Sequence, residues 1–495
     1  MDGVRWKGVA LMDTMQSDGA LQLPAEKMRA LGHQVVDMII EHFESLRSKP
    51  VSPKFDIAKL RANLRDPLLE DGAPVELVLQ QVRQNILGNI MHLDHPRFFA
   101  FVPGPSNFVS VMADALAAGF NVFAGTWLEA PGPTEVELAM IDWLRQLCSL
   151  PDTAGGLFVS GGSVANLTAL AVARHSKLGD RIKDAVVYSS DQVHSSVERG
   201  LRLLGFDRSQ FRKLPSDDRF RLSLSDLQHE VAADKAAGIA PFCVVANAGT
   251  TNTGSVDPLI DLSRFCREEG LWLHADGAYG APSMLCEEGR SLLGGLEQVD
   301  SLSLDPHKWL FQPYEMGCVL VRDRRQLKET FHILPEYLRD IDLSEEEVNF
   351  CDYGVQLTRS FRALKLWMSL RVFGLRAFRE AVSRGIALAE LAEETLRKLV
   401  DWEIVTPAQL GIVTFRYNAS RCSLQELEAI NQKIVAEMIE DGFSMVSSTV
   451  LKGQSVLRMC TINPRTTESD IGETIQRLDR LGSKLSLEGK QRRSA

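Results

Sequence analysis

The stretch SLSLDPHKWL, residues 301–310, alternates Ser and Leu at period two and breaks at Asp305-Pro306, so that Lys308 follows a strand end. A solvated loop lysine is the ordinary reading of such a residue. An amine in a partly desolvated, cation-rich site instead loses its proton readily and becomes a nucleophile. Asp276 closes the apolar run LWLHA about one strand-helix-strand unit earlier, and a carboxylate at the end of an apolar strand calls for a positive partner. After GLFVS comes Gly161-Gly162-Ser163, a glycine turn opening a helix near Val164, where free N–H groups and the helix dipole suit a phosphate. His194 follows AVVYSSDQ, and Thr250 and Thr251 follow CVVANAG.

Each feature has a plain structural reading: an Asp276–Lys308 ion pair, an ordinary strand-to-helix turn, a surface histidine. In an open α/β sheet, however, ligands sit beyond the carboxyl ends of the strands, and one ligand uses every strand end at once. Pyridoxal phosphate would place its ring nitrogen at Asp276, bond its aldehyde to Lys308 and rest its phosphate on Gly162 and Ser163. A protonated ring held by Asp276 is an electron sink for a carbanion at Cα.

The elements needed to position these residues are legible. Residues 25–48 and VELVLQQVRQNILGNI carry apolar residues at helical spacing, so a helical segment over 1–90 is expected. From about 155, short β-rich runs (GGLFVS, DAVVYSS, PFCVVANAG, LWLHAD, DSLSLD, MGCVLVR) alternate with helical stretches, which predicts a mostly parallel sheet in a large domain over 91–360. Long helices with a few strands, including GIVTFRY and VLRMCTINP, predict a smaller α+β domain over 361–495, and the last dozen residues read as a disordered tail.

The 495 residues carry a formal net charge of −10, which argues against nucleic acid or an anionic membrane as partner and favours a small molecule. No signal-peptide core and no run near the ~20 apolar residues of a membrane span is present, so a cytoplasmic protein is expected. The eight cysteines lack CxxC or CxH spacing, which predicts reduced thiols, no metal site and no disulfide framework.

Five motifs in order, SGGSVANLTAL, SSDQVHSSVERG, NAGTTNTGSVDP, LWLHADGAYG and DPHKWL, resemble the group II pyridoxal-phosphate-dependent decarboxylases, most closely the aromatic L-amino-acid decarboxylases, over roughly residues 25–480. The resemblance implies the type I aspartate-aminotransferase fold and a homodimer with the active site at the subunit boundary, its N-terminal helices wrapping the partner. It further implies that Lys308 bonds the cofactor aldehyde, that His194 stacks on the pyridine ring and that Asp276 pairs with the ring nitrogen. Gly162, Ser163 and His307 would hold the phosphate side, and Thr251 and Ala278 would line the cofactor. ILPEYLRD resembles the family's catalytic loop, which makes Tyr337 the catalytic tyrosine; a phenol of pKa about 10 can supply the proton that Cα needs after carbon dioxide leaves. Family members with phenylalanine there are associated with aldehyde production.

HPRFFAFVPGPSN occupies the family's substrate-side segment, where Phe101 and Pro103 could face an aromatic ring, although the run 98–101 also reads as core. Gly104 stands where the animal enzymes have threonine, Thr358 where glycine or serine is usual, Asp305 where asparagine is usual, and Gly277 interrupts the usual Asp-Ala-Ala. The expected function is decarboxylation of an aromatic L-amino acid (tryptophan, tyrosine, phenylalanine or DOPA type) to the amine. The alternatives are an aldehyde synthase, a decarboxylase of glutamate, diaminobutyrate or histidine, and, in another class, a catalytically silent scaffold. The non-aromatic substrates call for a charged group at the distal end, and the sequence offers no convincing one; a silent scaffold would be expected to lose Lys308, Asp276 or Tyr337.

Overall fold

In the computed structural model, the described residues are 21–65, 70–179, 181–333 and 347–494, with side chains through 488. The chain divides into two compact units, residues 1–91 and 92–495. The first contains the helices Ala25–Ser45, Ile57–Leu64 and Val75–Gln81, the last continuing as a π turn and a 3-10 turn to Asn89. Asp56 caps Ile57–Leu64 by accepting from the Lys59 N–H at 3.0 Å. Helix Ala25–Ser45 buries none of its residues and leaves Met28, Val35 and Ile40 exposed.

The second unit is built on a seven-stranded sheet: β1 (Gly155–Val159), β2 (Ala185–Ser190), β3 (Phe211–Leu214), β4 (Ala240–Asn247), β5 (Trp272–Asp276), β6 (Ser301–Leu304) and β7 (Gly317–Val321), in the order β1-β7-β6-β5-β4-β2-β3. Neighbours from β6 to β3 pair in parallel, and only β7 runs against both of its neighbours. Parallel pairing requires crossovers that cover the sheet, and β1, β2, β5, β6 and β7 are buried along their whole length, β6 with its alternating Ser and Leu included. The strand β3 escapes the sequence reading because FRKL is short, carries two cations and is only partly buried at the sheet edge.

A separate four-stranded antiparallel sheet, β8 (Trp402–Gln409), β9 (Ile412–Tyr417), β10 (Ser447–Leu451) and β11 (Gln454–Cys460), has the order β10-β11-β9-β8. Its core joins Val413, Phe415 and Met459 to Ile434 and Met438 of helix Leu424–Asp441 and to Ile475 and Leu478 of helix Glu468–Ser494. That last helix overturns the expected disordered tail: Leu485 is buried, and Ser486 accepts a hydrogen bond from Arg421 Nε at 3.0 Å, so packing extends the helix into the charged terminus. The helix Ala363–Arg397 bends at Gly374, whose φ of 72° breaks the helical backbone. No helix among the described residues is long and apolar enough to cross a membrane.

Candidate active site

The carboxyl ends of β1, β2, β4, β5 and β6 open on one cavity of about 380 Å³. Gly162, Ser163, His194, Thr251, Asp276, Ala278, His307 and Lys308, every position expected to hold the cofactor, line it. Asn166, Ser196, Asn247, Tyr279 and Asp305 also line it, and no motif reading singled them out for this purpose.

Asp276 ends β5 at the centre of the sheet, where the register sets it opposite Asn247 of β4 and Ser303 of β6. Its side chain is 7% exposed and accepts from Asn166 Nδ2 at 2.9 Å, Ser303 Oγ at 3.1 Å and the Ala278 N–H at 3.2 Å. Burial favours the neutral acid, but the Lys308 charge, with the Asn166 hydrogen bond, outweighs it and holds the pKa below the usual aspartate value. The cavity therefore has an ionised carboxylate on its floor. Behind it, Asn166 Oδ1 faces His274 Nε2 at 3.0 Å, and His274 Nδ1 meets Ser301 Oγ at 2.9 Å. Burial pushes His274 down to about 4, so the imidazole is neutral at physiological pH.

Lys308 sits on a single helical turn, Pro306–Trp309, started by Pro306, whose missing N–H costs nothing at the first helical position. The turn is fixed on both sides: the His307 N–H donates to the Met316 carbonyl at 3.2 Å, and the Met316 N–H donates to His307 Nδ1 at 3.1 Å. The Lys308 Nζ lies 2.9 Å from Asp305 Oδ2. This excludes the plain reading of an Asp276–Lys308 ion pair and corrects the expectation of a cation-rich site. The lysine's ion-pair partner is Asp305, not Asp276, and its surroundings are rich in carboxylate. Burial pulls its pKa down, yet Asp305, followed by Asp276 and Tyr314, raises it above the usual lysine value.

At the other end, helix Gly162–Leu178 begins without a side-chain cap. A Cβ on Gly162 would lie 2.8 Å from Asp305 Oδ2 and 3.0 Å from Ala278 Cβ, so only glycine lets the helix start approach the lysine turn this closely. His194 caps the helix Ser195–Leu203: its Nδ1 accepts from the Ser196 N–H at 3.3 Å and meets Ser196 Oγ at 2.8 Å. Asp305 Oδ1 is buried without a hydrogen-bond partner. An uncapped helix start for phosphate, an ionised carboxylate for a ring nitrogen and an amine between them are the donor set that pyridoxal phosphate requires, and the residues fit it.

The expected substrate residues do not join this cavity. Phe98 and Phe99 are core, whereas Phe101 is 57% exposed, Thr358 is exposed and Pro103 is buried. Tyr337 lies outside the described residues. Arg458 of β11, absent from any motif, donates through Nη1 to the Phe101 carbonyl at 2.6 Å and through Nε to the Asn252 carbonyl at 3.3 Å, tying the segment before Pro103 to the loop after Thr251. Gly277 proves sterically required: a Cβ there would lie 2.8 Å from both Ala281 Cβ and Leu302 Cδ1.

Residues 58–418 match the model of the pyridoxal-dependent decarboxylase conserved domain. The chain is 50% identical over 469 residues to an aromatic-L-amino-acid decarboxylase of Bacillus atrophaeus, covering 94% of this chain and 98% of that one. It is 31% identical to a phenylacetaldehyde synthase of Arabidopsis thaliana, covering 91% and 95%. Among solved structures, that of Oryza sativa TDC with PLP and tryptamine superposes with a TM-score of 0.90 at 30% identity, covering 94% of this chain and 99% of that one. The chain thus belongs to the pyridoxal-dependent decarboxylase family, a carboxy-lyase of the type I fold whose cofactor is pyridoxal 5'-phosphate.

Proposed function

We propose that this protein removes the α-carboxylate of an aromatic L-amino acid, releasing the amine and carbon dioxide. The observation that carries the reading is Asp276, a buried, ionised carboxylate in the same cavity as Lys308. The 50% identity to an aromatic-L-amino-acid decarboxylase supports the substrate class. Bound pyridoxal phosphate supplies the electron sink that accepts the pair left when carbon dioxide departs.

The chain's own residues do the rest. Asp276 keeps a ring nitrogen protonated by holding a full negative charge beside it in a low-dielectric site. Gly162 and Ser163 present the helix start to the phosphate, with His307 on the same side. His194, held by its Ser196 hydrogen bonds, offers a ring face for stacking. Lys308 would hold the cofactor through its amine, which must be neutral to bond the aldehyde. Tyr337 returns a proton to Cα, the step that makes the product an amine.

The homodimer belongs to the same proposal. Phe120, Leu128, Val355 and Leu357 are large apolar side chains left exposed in the second unit, as are Met28, Val35 and Ile40 in the first, and a second copy of the chain would cover them. The eight cysteines are all free, which fits action in a reducing compartment such as the cytoplasm.

The test is incubation of the purified, cofactor-loaded protein with a panel of amino acids, measuring amine, aldehyde and hydrogen peroxide. Amine from aromatic substrates, with an absorbance band near ~420 nm that Lys308→Ala abolishes, is the expected result. Aldehyde with peroxide would make it a synthase, and no turnover of any aromatic amino acid would overturn the reading.

A further inference from the structure

Gly104 and Tyr314 occupy one volume. A Cβ placed on Gly104 would lie 2.5 Å from Tyr314 Cζ and 2.9 Å from Cε2, and closer still to the hydroxyl oxygen. The phenol therefore fills the space where any other residue at 104 would put its side chain. Its ring packs against His307, centroid to centroid 4.9 Å. Tyr314 thus stands at the edge of the lysine turn, where that turn meets the segment running from Phe101 to Asn107.

The backbone holding it there is fixed from two helices. Lys365, buried in helix Ala363–Arg397, reaches the Pro313 carbonyl at 3.4 Å and the Glu315 carbonyl at 3.3 Å, and its charge is met by Asp114 at 3.0 Å. Asn107 Nδ2 donates to the Phe311 carbonyl at 3.2 Å. The hydroxyl, by contrast, has no hydrogen-bond partner among the described residues, and the side chain is 51% exposed. A phenol, whose ordinary pKa is about 10, keeps its proton at neutral pH and can donate as well as accept.

We propose that Tyr314 is a specificity-determining residue of the decarboxylation site: placed by the absence of a side chain at Gly104, its hydroxyl hydrogen-bonds a polar substituent on the ring of the bound amino acid, favouring hydroxylated over unsubstituted aromatic substrates. This rests on the aromatic reading of the site. A rigidly mounted backbone carrying a hydroxyl with no protein partner is what such selection needs, because a site built to hydrogen-bond a hydroxyl loses affinity for the analogue lacking one.

The experiment compares wild type, Tyr314→Phe and Gly104→Ala in the cofactor-loaded protein, reading kcat/KM for tyrosine against phenylalanine, and separately the calorimetric affinity for tyramine against phenethylamine. Tyr314→Phe is expected to lower the tyrosine-to-phenylalanine ratio roughly threefold to tenfold, the range of one neutral hydrogen bond. Gly104→Ala, whose new methyl must push the phenol aside, is expected to lower it in the same direction, and the double variant no further than the larger single effect. A tyrosine-to-phenylalanine ratio and a tyramine-to-phenethylamine ratio that both variants leave unchanged or increase would overturn the proposal. Wild type that releases no amine from any aromatic substrate would sink the functional reading instead, and the two-amine binding comparison would still decide the role of Tyr314.

Discussion

The Lys308 ammonium and the Asp305 carboxylate face each other at 2.9 Å across one helical turn, and this contact holds the lysine in its charged form. A charged amine cannot attack an aldehyde, so the ion pair must open before the cofactor is captured. Asp305→Asn removes the negative charge while keeping the shape, so the Lys308 pKa falls and each unit of fall raises the neutral fraction about tenfold. Cofactor capture by the apo-protein, followed as growth of the ~420 nm band at a series of pH values, is expected to run faster in the variant at neutral pH and to reach half its maximal rate at lower pH. A wild-type profile matched by the variant would remove Asp305 from control of the amine.

His274 gives the folded protein a pH dependence whose sign can be stated. The folded protein keeps this imidazole neutral down to about 4, while the unfolded chain takes up a proton near 6.5. Between those values the unfolded state binds more protons, so the contribution is complete above about pH 6.5 and is lost as pH falls toward 4, on the order of 3 kcal/mol in all. Asp257, pushed up to about 6 by burial, works in the opposite sense over an overlapping window. The quantity to measure is therefore the urea-derived stability of wild type minus that of His274→Gln, pH by pH. The difference is expected to shrink with acidification; a flat difference would mean that His274 is not buried neutral.

Tyr337 separates the two product outcomes. If its phenol returns the proton to Cα, Tyr337→Phe leaves that carbon without a donor, and product shifts from amine toward aldehyde and hydrogen peroxide, with amine output reduced at least tenfold. The assay needs both products quantified from one reaction. Amine output equal to wild type would take the proton-donor role away from this residue.

Lys308, Asp276, His194 and the Gly162-Ser163 turn were legible because each follows the end of a β-rich run, whereas Ala278 and His307 were implied only by the family resemblance. That is local information. Asn166 was not legible: it sits inside an apolar helical run, and only the packing of helix Gly162–Leu178 against β5 turns it toward both Asp276 and His274. Its signal was present as a polar residue in the largely apolar run ANLTALAVA, a pattern that calls for a buried partner. Asp305 reads in the sequence only as a departure from the family's usual asparagine, although i,i+3 spacing on a helical turn brings a carboxylate within reach of Lys308. The pairing of Gly104 with Tyr314 depends on two segments remote in sequence and could not be read from either.

The loop carrying Thr358 is anchored by a buried ion pair at the next residue. Arg359 is paired with Glu137, both almost fully buried, and donates to the Ala124 carbonyl at 2.7 Å and the Phe158 carbonyl at 2.9 Å, while Glu137 also accepts from the Phe158 N–H at 2.9 Å. Removing one partner leaves an uncompensated charge in the core, whereas a neutral isostere keeps most of the hydrogen bonds. Glu137→Ala is accordingly expected to cost about 3–5 kcal/mol in urea unfolding, and Glu137→Gln distinctly less. Because Phe158 lies in β1, one residue from the strand end that feeds Gly161-Gly162-Ser163, the alanine variant should also weaken cofactor affinity, measured by titration of the apo-protein. Equal costs for the two substitutions would show that packing volume, and not the charge on Arg359, is what Glu137 supplies.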